Sequence, residues 1–293
     1  MAVQPGRVGI VGLGLIGGSL GLDLQARGWS VQGLVHRQAT ADRAMARGLV
    51  GAVSTDPSCL SGCDLVILAL PIPLLLNPPD ELIAALPEAA VVTDVGSGKQ
   101  PVLEAWRQRH PRFVASHPMA GTAQAGVEAG VVDLFRGRPW IATPDAATDP
   151  AALAQVRDLA LSVGGHWLTS TASQHDQAVA LISHMPVLVS AALLRAVGDE
   201  RDPEIRQLAR VLASSGFADT SRVGGGNPDL GVAMASTNRD AVLRGFAAYR
   251  WSLEQLEDAV LQQNWSQLAL ELRRTQTLRP DFLRAPGEVS SES

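Results

Sequence analysis

Residues 8–20 read VGIVGLGLIGGSL, and no other stretch restricts the fold of this chain as tightly. An apolar run from Val8 to Val11 ends in Gly12-Leu13-Gly14-Leu15-Ile16-Gly17, and a helix-like segment follows. Glycines at this spacing, between a strand and a helix, have separable duties. The first makes a tight turn, the second lets the backbone approach a pyrophosphate, and the third lets helix and strand pack closely, with the anion at the helix N-terminus. The context that the pattern requires is present, since a second strand is predicted around Val31–Val35. Gly12, Gly14, Leu15, Ile16 and Gly17 are therefore candidate cofactor-binding residues.

The end of that second strand narrows the cofactor. Sites for NAD place an Asp or Glu there to bind the ribose 2′-hydroxyl. This chain has Leu34-Val35-His36-Arg37-Gln38-Ala39-Thr40, with no carboxylate to repel a phosphate. Arg37 can make a bidentate, charge-assisted contact with a 2′-phosphate. His36 lines the same place, and Thr40 can donate a hydroxyl from the start of the next helix. The expected cofactor is NADP.

A length of 293 residues suits two domains, or one large one, with ample core. The composition is 46% hydrophobic with a mean hydropathy of +0.11, yet no uninterrupted apolar stretch approaches the length of a membrane span. The chain enters its first strand within a few residues, so no leader is expected and a cytoplasmic location is predicted, with no membrane partner. A net charge of −5 and a pI near 5.7 speak against a nucleic-acid partner. Cys59 and Cys63 lack the further His or Cys of a structural zinc site, so reduced thiols and no metal are expected.

Short apolar strands alternate with helical stretches through the first half, which implies βαβ units and a parallel sheet. Strands are predicted at 7–12, 30–35, 64–70, 90–94, 112–115, 139–142 and 165–168. Ligands bind such sheets at the carboxyl ends of the strands. The ends here are Gly12–Gly17, His36–Thr40, Ala69–Pro73, Asp94–Lys99 and Ser116–Gly121, expected to face one crevice. Strands stop near residue 170. A long apolar helix over 174–198 contains Pro186, which should kink it. A looser stretch, Ser214 to Gly226, leads to Asn227-Pro228, a fitting N-cap and first-turn pair. Helices near 228–236, 238–262 and 265–278 complete an all-α domain whose apolar faces exceed what a small bundle can hide, so a homodimer is expected. The predicted layout is a dinucleotide-binding domain over 1–170, a helical substrate-binding and dimerisation domain over 171–285, and a disordered tail over 286–293.

Among the histidines, His110 lies between Arg109 and Pro111 and reads as solvated, and His166 starts a strand and reads as structural. His117 is different, because it follows a strand directly in Ser116-His117-Pro118-Met119-Ala120-Gly121. An imidazole there faces the crevice and is either a general base or a structural group. Ser97, in Asp94-Val95-Gly96-Ser97-Gly98-Lys99, is its expected neighbour across adjacent strand ends. A serine nucleophile is the competing view of Ser97, but the G-x-S-x-G elbow is missing, since position 99 is Lys.

Taken in order, GLGLIGGSL, DVGSGK, SHPMAGT, Ser173-Gln174-His175-Asp176, Leu181-Ile182-Ser183-His184-Met185-Pro186 and Gly216-Phe217-Ala218-Asp219-Thr220-Ser221-Arg222 resemble the prephenate/arogenate dehydrogenases of tyrosine biosynthesis. The resemblance runs from about residue 7 to 280, and the form with HPMAGTA and His36-Arg37 is similar to the cyanobacterial arogenate dehydrogenases. It implies a Rossmann-type α/β domain followed by an all-α dimerisation domain. It also implies that His117 is the catalytic base and Ser97 its hydrogen-bonding partner. Arg222 then binds the ring carboxylate, and His184 and Thr122 are substrate-binding. One position departs from the pattern: some prephenate-using members carry a second histidine three residues after the one matched by His184, and here that position is Val187. Positions three apart share a helix face, so the substrate side chain meets something different, which favours arogenate over prephenate. Two other readings remain. A β-hydroxyacid dehydrogenase would need a lysine in the helical domain, and residues 171–293 contain none. A non-catalytic NADP-sensing regulator would have no need of Ser97, His117 and Arg222 together.

Overall fold

The computed structural model describes residues 6–122 and 124–283, and the chain divides into two compact units after His175. The expected tail over 286–293 lies outside the described residues.

The first unit opens with β1 (Arg7–Val11), α1 (Leu15–Gln25), β2 (Ser30–Leu34), α2 (Gln38–Ala46) and β3 (Ala52–Ser54). It continues through β4 (Leu65–Leu68), α3 (Ile72–Leu76), α4 (Asp80–Ala85), β5 (Val91–Asp94), α5 (Gln100–Trp106) and β6 (Phe113–Val114). These six strands form one sheet in the order β3-β2-β1-β4-β5-β6, every neighbouring pair parallel. The order reverses direction between β1 and β4, which is the point where doubly wound sheets bind their ligands. Alternation along the strands explains how both faces are covered. Val8, Ile10, Leu65, Ile67 and Val91 join one core, and Val11, Val66, Leu68 and Val92 join the core on the opposite face.

A second sheet was not foreseen in the sequence. It comprises β7 (Ser116–Pro118), β8 (Pro139–Ala142) and β9 (His166–Thr169), with α6 (Pro150–Ser162) between the last two. β7 runs antiparallel to β8, and β8 parallel to β9. The chain leaves the first sheet at Ala115, whose carbonyl accepts from Thr143 N at 3.0 Å, and Ser116 then pairs with Ala142. β3 was also unforeseen, being only three residues in a stretch rich in Gly, Ser and Thr. His110 corrects the expectation of a solvated ring. It is buried, with its Nε2 3.1 Å from the Pro87 carbonyl and its Nδ1 accepting from Arg112 N at 3.3 Å. Burial holds its pKa below the ordinary histidine value. The charged neighbours that made His110 look exposed are themselves anchored to backbone, Arg112 Nη1 to the Ala89 carbonyl and Arg109 Nη1 to the Ala105 carbonyl.

α7 (Ala172–Val179) contains the division between the units, and the second unit is otherwise helical. A π turn over Ala180–His184 joins α7 to α8 (Met185–Gly198), so Pro186 falls in the first turn of α8. That placement gives the expected kink its form: a proline lacks the N–H that would continue the ladder, and the wider turn before it takes up the mismatch. Then come α9 (Pro203–Leu212), α10 (Ser215–Ser221), α11 (Pro228–Thr237), α12 (Arg239–Leu261) and α13 (Trp265–Leu278). The stretch expected to be loose is ordered as α10 and a 3-10 turn over Arg222–Gly225. Asn227 caps α11 as predicted, accepting from Asp229 N at 2.9 Å.

The run Ala172–Gly198 bears on the membrane question. By length and composition it is one helix able to cross a membrane, with a mean hydropathy of 1.8 over its most apolar window. Polar residues interrupt it, among them Ser183, His184 and Ser190. Two of those polar residues, His184 and Ser190, are buried and hydrogen-bonded within the second unit.

Candidate active site

The glycine turn is built as its spacing requires. Gly12 has a φ of +93°, and a Cβ on it would sit 2.4 Å from the Ala69 carbonyl oxygen. A Cβ on Gly17 would lie 1.9 Å from the Gly12 carbonyl oxygen, so only glycine allows the helix to close on the turn. Gly14 differs from both, because a Cβ there would meet nothing within 4 Å. It caps α1 without a side-chain hydrogen bond, and the first turn of α1 holds no acidic residue. The first-turn N–H groups of a helix, beside a backbone position with open space at Gly14, fit a pyrophosphate.

Arg37 is the N-cap residue of α2, directly after β2, and Thr40 lies in the first turn of that helix. His36 and Arg37 are exposed, and Arg37 makes no ion pair among the described residues. A guanidinium at this strand end is available to an anion.

His117 stands on β7, just beyond β6, and its surroundings are tied down by a buried ion pair. Lys99, the only lysine in the sequence, is fully buried against the Asp94 carboxylate. Its Nζ also donates to the Ser116 carbonyl at 2.7 Å, while Asp94 Oδ1 accepts from Ser116 N at 3.2 Å and Oδ2 from Gly96 N at 2.8 Å. Burial pushes the Asp94 carboxyl up against the pull of the Lys99 ammonium. Both backbone polar groups of Ser116, the residue before His117, are therefore held by one ion pair. The Ser116 hydroxyl adds bonds to Thr93 Oγ1 at 2.9 Å, to the Asp94 carbonyl at 2.9 Å and to Trp140 Nε1 at 3.1 Å. Ser97 is half-buried on the same Asp94–Lys99 loop. The partner shown at Nδ1 of the His117 ring is Nε2 of His175, 3.0 Å away. The sequence alone gives His175 no role, because 58 residues separate the two rings. Thr122 is exposed and accepts from Gln124 N at 3.2 Å.

In the second unit His184 closes the π turn and is buried, its Nδ1 3.3 Å from Asn238 Nδ2. The same amide donates to the Asp176 carbonyl at 2.6 Å, and a carbonyl can only accept, which fixes which end of the Asn238 side chain is nitrogen. Arg222 is exposed and begins the 3-10 turn. Ser190 on α8 ties that turn down, donating to the Thr220 carbonyl at 2.9 Å and accepting from Gly224 N at 2.9 Å. A Cβ on Gly224 would lie 2.3 Å from Ala191 N, so glycine there permits a close backbone approach. Asn238, Ser190 and Gly224 had no signal in the sequence strong enough to mark them.

Two family models match the chain. The family model for the nucleotide-binding domain of prephenate dehydrogenase matches residues 20–169, and that for its dimerization domain matches 171–274. The crystal structure of Synechocystis arogenate dehydrogenase is similar at 42% identity and a TM-score of 0.80, over 94% of this chain and 99% of that one. Prephenate dehydrogenase from Aquifex aeolicus, solved with hydroxyphenyl propionate and NAD+, gives a TM-score of 0.89 at 26% identity, over 96% of this chain and all of that one. The cyclohexadienyl dehydrogenase of Zymomonas mobilis is 30% identical over 277 residues, 93% of this chain and 94% of its own.

Proposed function

Because the chain belongs to the prephenate dehydrogenase family across both of its domains, we propose that it carries out the NADP-dependent oxidative decarboxylation of arogenate to tyrosine. The observation that carries the reading is His117, an imidazole on a strand clamped by Asp94 and Lys99, in the same unit as the glycine turn. When bound, NADP supplies the hydride acceptor, and Gly12, Gly14, Leu15, Ile16 and Gly17 hold its pyrophosphate. His117 Nε2 takes the proton of the ring 4-hydroxyl as hydride leaves the same carbon. Loss of the ring carboxylate as carbon dioxide makes the ring aromatic. Ser97 orients the hydroxyl. Arg222 takes the ring carboxylate, a charge-assisted hydrogen bond of roughly 1.5–3 kcal/mol. His184 and Thr122 contact the remainder of the substrate.

Arogenate is favoured over prephenate by Val187, which puts an aliphatic side chain one helical turn beyond His184, and by the 42% identity to the Synechocystis enzyme. NADP is favoured over NAD by Arg37 and by the lack of any carboxylate from His36 to Thr40. The Aquifex aeolicus relative, solved with NAD+, supports the alternative pair of prephenate and NAD. A homodimer is supported by the match to the family's dimerization domain and by the exposed apolar residues of the helical unit. A cytoplasmic location is supported by the long apolar helix, whose His184 and Ser190 hydrogen-bond inside their own unit.

The test is the growth of reduced-nicotinamide absorbance with arogenate and with prephenate, each against NADP and NAD, beside a panel of hydroxyacids. The expected result is fastest turnover with arogenate and NADP. Silence with both cyclohexadienols overturns the reading and leaves the sensing regulator.

A further inference from the structure

Two imidazoles meet in the first unit, and the mechanism just given uses only one of them. Nδ1 of His117 and Nε2 of His175 are 3.0 Å apart, with ring centroids 5.2 Å apart and ring planes 71° from parallel. His175 is buried, and the chain builds its position locally. Thr171-Ala172-Ser173-Gln174 is a capping box: Thr171 Oγ1 accepts from Gln174 N at 3.2 Å, and Gln174 Oε1 accepts from Thr171 N at 3.3 Å. That reciprocal pair sets the first turn of α7, and His175 N then donates to the Thr171 carbonyl at 3.0 Å. The ring is thereby carried on a fixed helical turn.

A hydrogen bond between two neutral imidazoles needs a proton on one nitrogen and a lone pair on the other. The two directions have opposite consequences. If His175 Nε2 donates, the single proton of His117 sits on its Nε2, and His117 faces a substrate hydroxyl as a donor. If His117 Nδ1 donates, its Nε2 carries the lone pair and can accept a proton. We propose that His175 is the positioning residue of the base, accepting the Nδ1–H of His117 at its own Nε2 and so holding His117 in the proton-accepting tautomer. The inference rests on the reading of His117 as the base. During turnover the hydroxyl proton passes to His117 Nε2 and Nδ1–H stays in place. His117 becomes the imidazolium, and its bond to His175 becomes charge-assisted, so the pairing is stronger in the transition state than before it.

His175→Phe keeps a ring of similar size and removes the acceptor, whereas His175→Gln places Oε1 close to where Nε2 was. The phenylalanine variant is expected to lose on the order of 10- to 100-fold in kcat, with KM for substrate and nucleotide within about twofold. The glutamine variant should recover most of that loss. In the wild-type protein, nitrogen NMR of labelled histidine should show His117 protonated at Nδ1 and bare at Nε2, its signals assigned by their disappearance in His117→Ala. Unchanged kcat in the phenylalanine variant, a glutamine variant no better than phenylalanine, or a proton on His117 Nε2 overturns the proposal. Should phenylalanine at this position prevent folding, the glutamine variant and the NMR tautomer decide. If the wild type turns over neither cyclohexadienol, the function fails on its own, and the NMR result still tests the pairing.

Discussion

The two units solve the problem of burial differently. The nucleotide-binding unit covers both faces of its sheet and encloses Trp106, Trp140 and Phe135 completely. Among the described residues the helical unit has a buried cluster of Ala180, Ala241 and Val242, with Leu188 and Phe246 packed against it. It leaves Val211, Leu212, Trp251, Leu261 and Trp265 more than half exposed. The first unit buries its bulkiest side chains within its own chain, whereas the second leaves several of its own at the surface.

The sharpest probe of that contrast is chemical. His117→Ala should lower turnover by about 10²–10⁴-fold while nucleotide affinity and melting temperature stay near wild type. A collapse in melting temperature would show that the ring belongs to the core instead. The next probe uses one residue type in two settings. Trp106→Ala removes a fully buried indole stacked on Phe113, whose Nε1 donates to the Leu75 carbonyl at 2.8 Å, and should cost about 3–5 kcal/mol in denaturant titration. Trp251→Ala should leave the isolated chain's secondary structure intact and shift light scattering towards the monomer. An indifferent dimer would take Trp251 out of the covered surface.

Within the first unit, Arg37→Ala should raise KM for NADP by roughly 10- to 100-fold and leave KM for NAD within about twofold. Equal changes in both would mean that Arg37 does not read the 2′-phosphate. The smallest expected effect lies in pH. Burial lowers the pKa of His110 in the folded protein, so the unfolded chain takes up that proton first. The contribution of neutral His110 is therefore complete above the unfolded value of about 6.5 and is lost as pH falls through the folded one. His110→Gln should flatten the decline of melting temperature below about pH 6.5; an unaltered slope would place the acid sensitivity elsewhere.

What the sequence revealed and what it withheld follow one division. The turn at Gly12–Gly17 and the cap at Asn227-Pro228 were legible because their causes are local: a positive φ, a close carbonyl, an amide two residues on. The helices 228–237, 239–261 and 265–278 came within a residue or two of expectation for the same reason. β7 was not legible as a separate strand, since it is three residues ending in Pro118 and its identity depends on pairing with Trp140 and Ile141. The capping box at Thr171–Gln174 was visible in principle, but nothing in it points across to His117. Lys99 was read as the residue that spoils a serine elbow. Its other attribute, being the chain's single lysine, was countable; that it is buried against Asp94 was not.

The π turn at Ala180–His184 acts as a phase shifter along the long helical run. One extra residue in the ladder advances the side-chain direction by about 100° relative to an uninterrupted α-helix. The stripe that α7 presents is therefore not the stripe that α8 continues, and a heptad pattern drawn straight through Ala172–Gly198 would put His184 and Val187 on the wrong side. Deleting a single residue from the turn would bring the two halves back into step while every side chain kept its chemistry. Such a variant would isolate what rotation alone contributes.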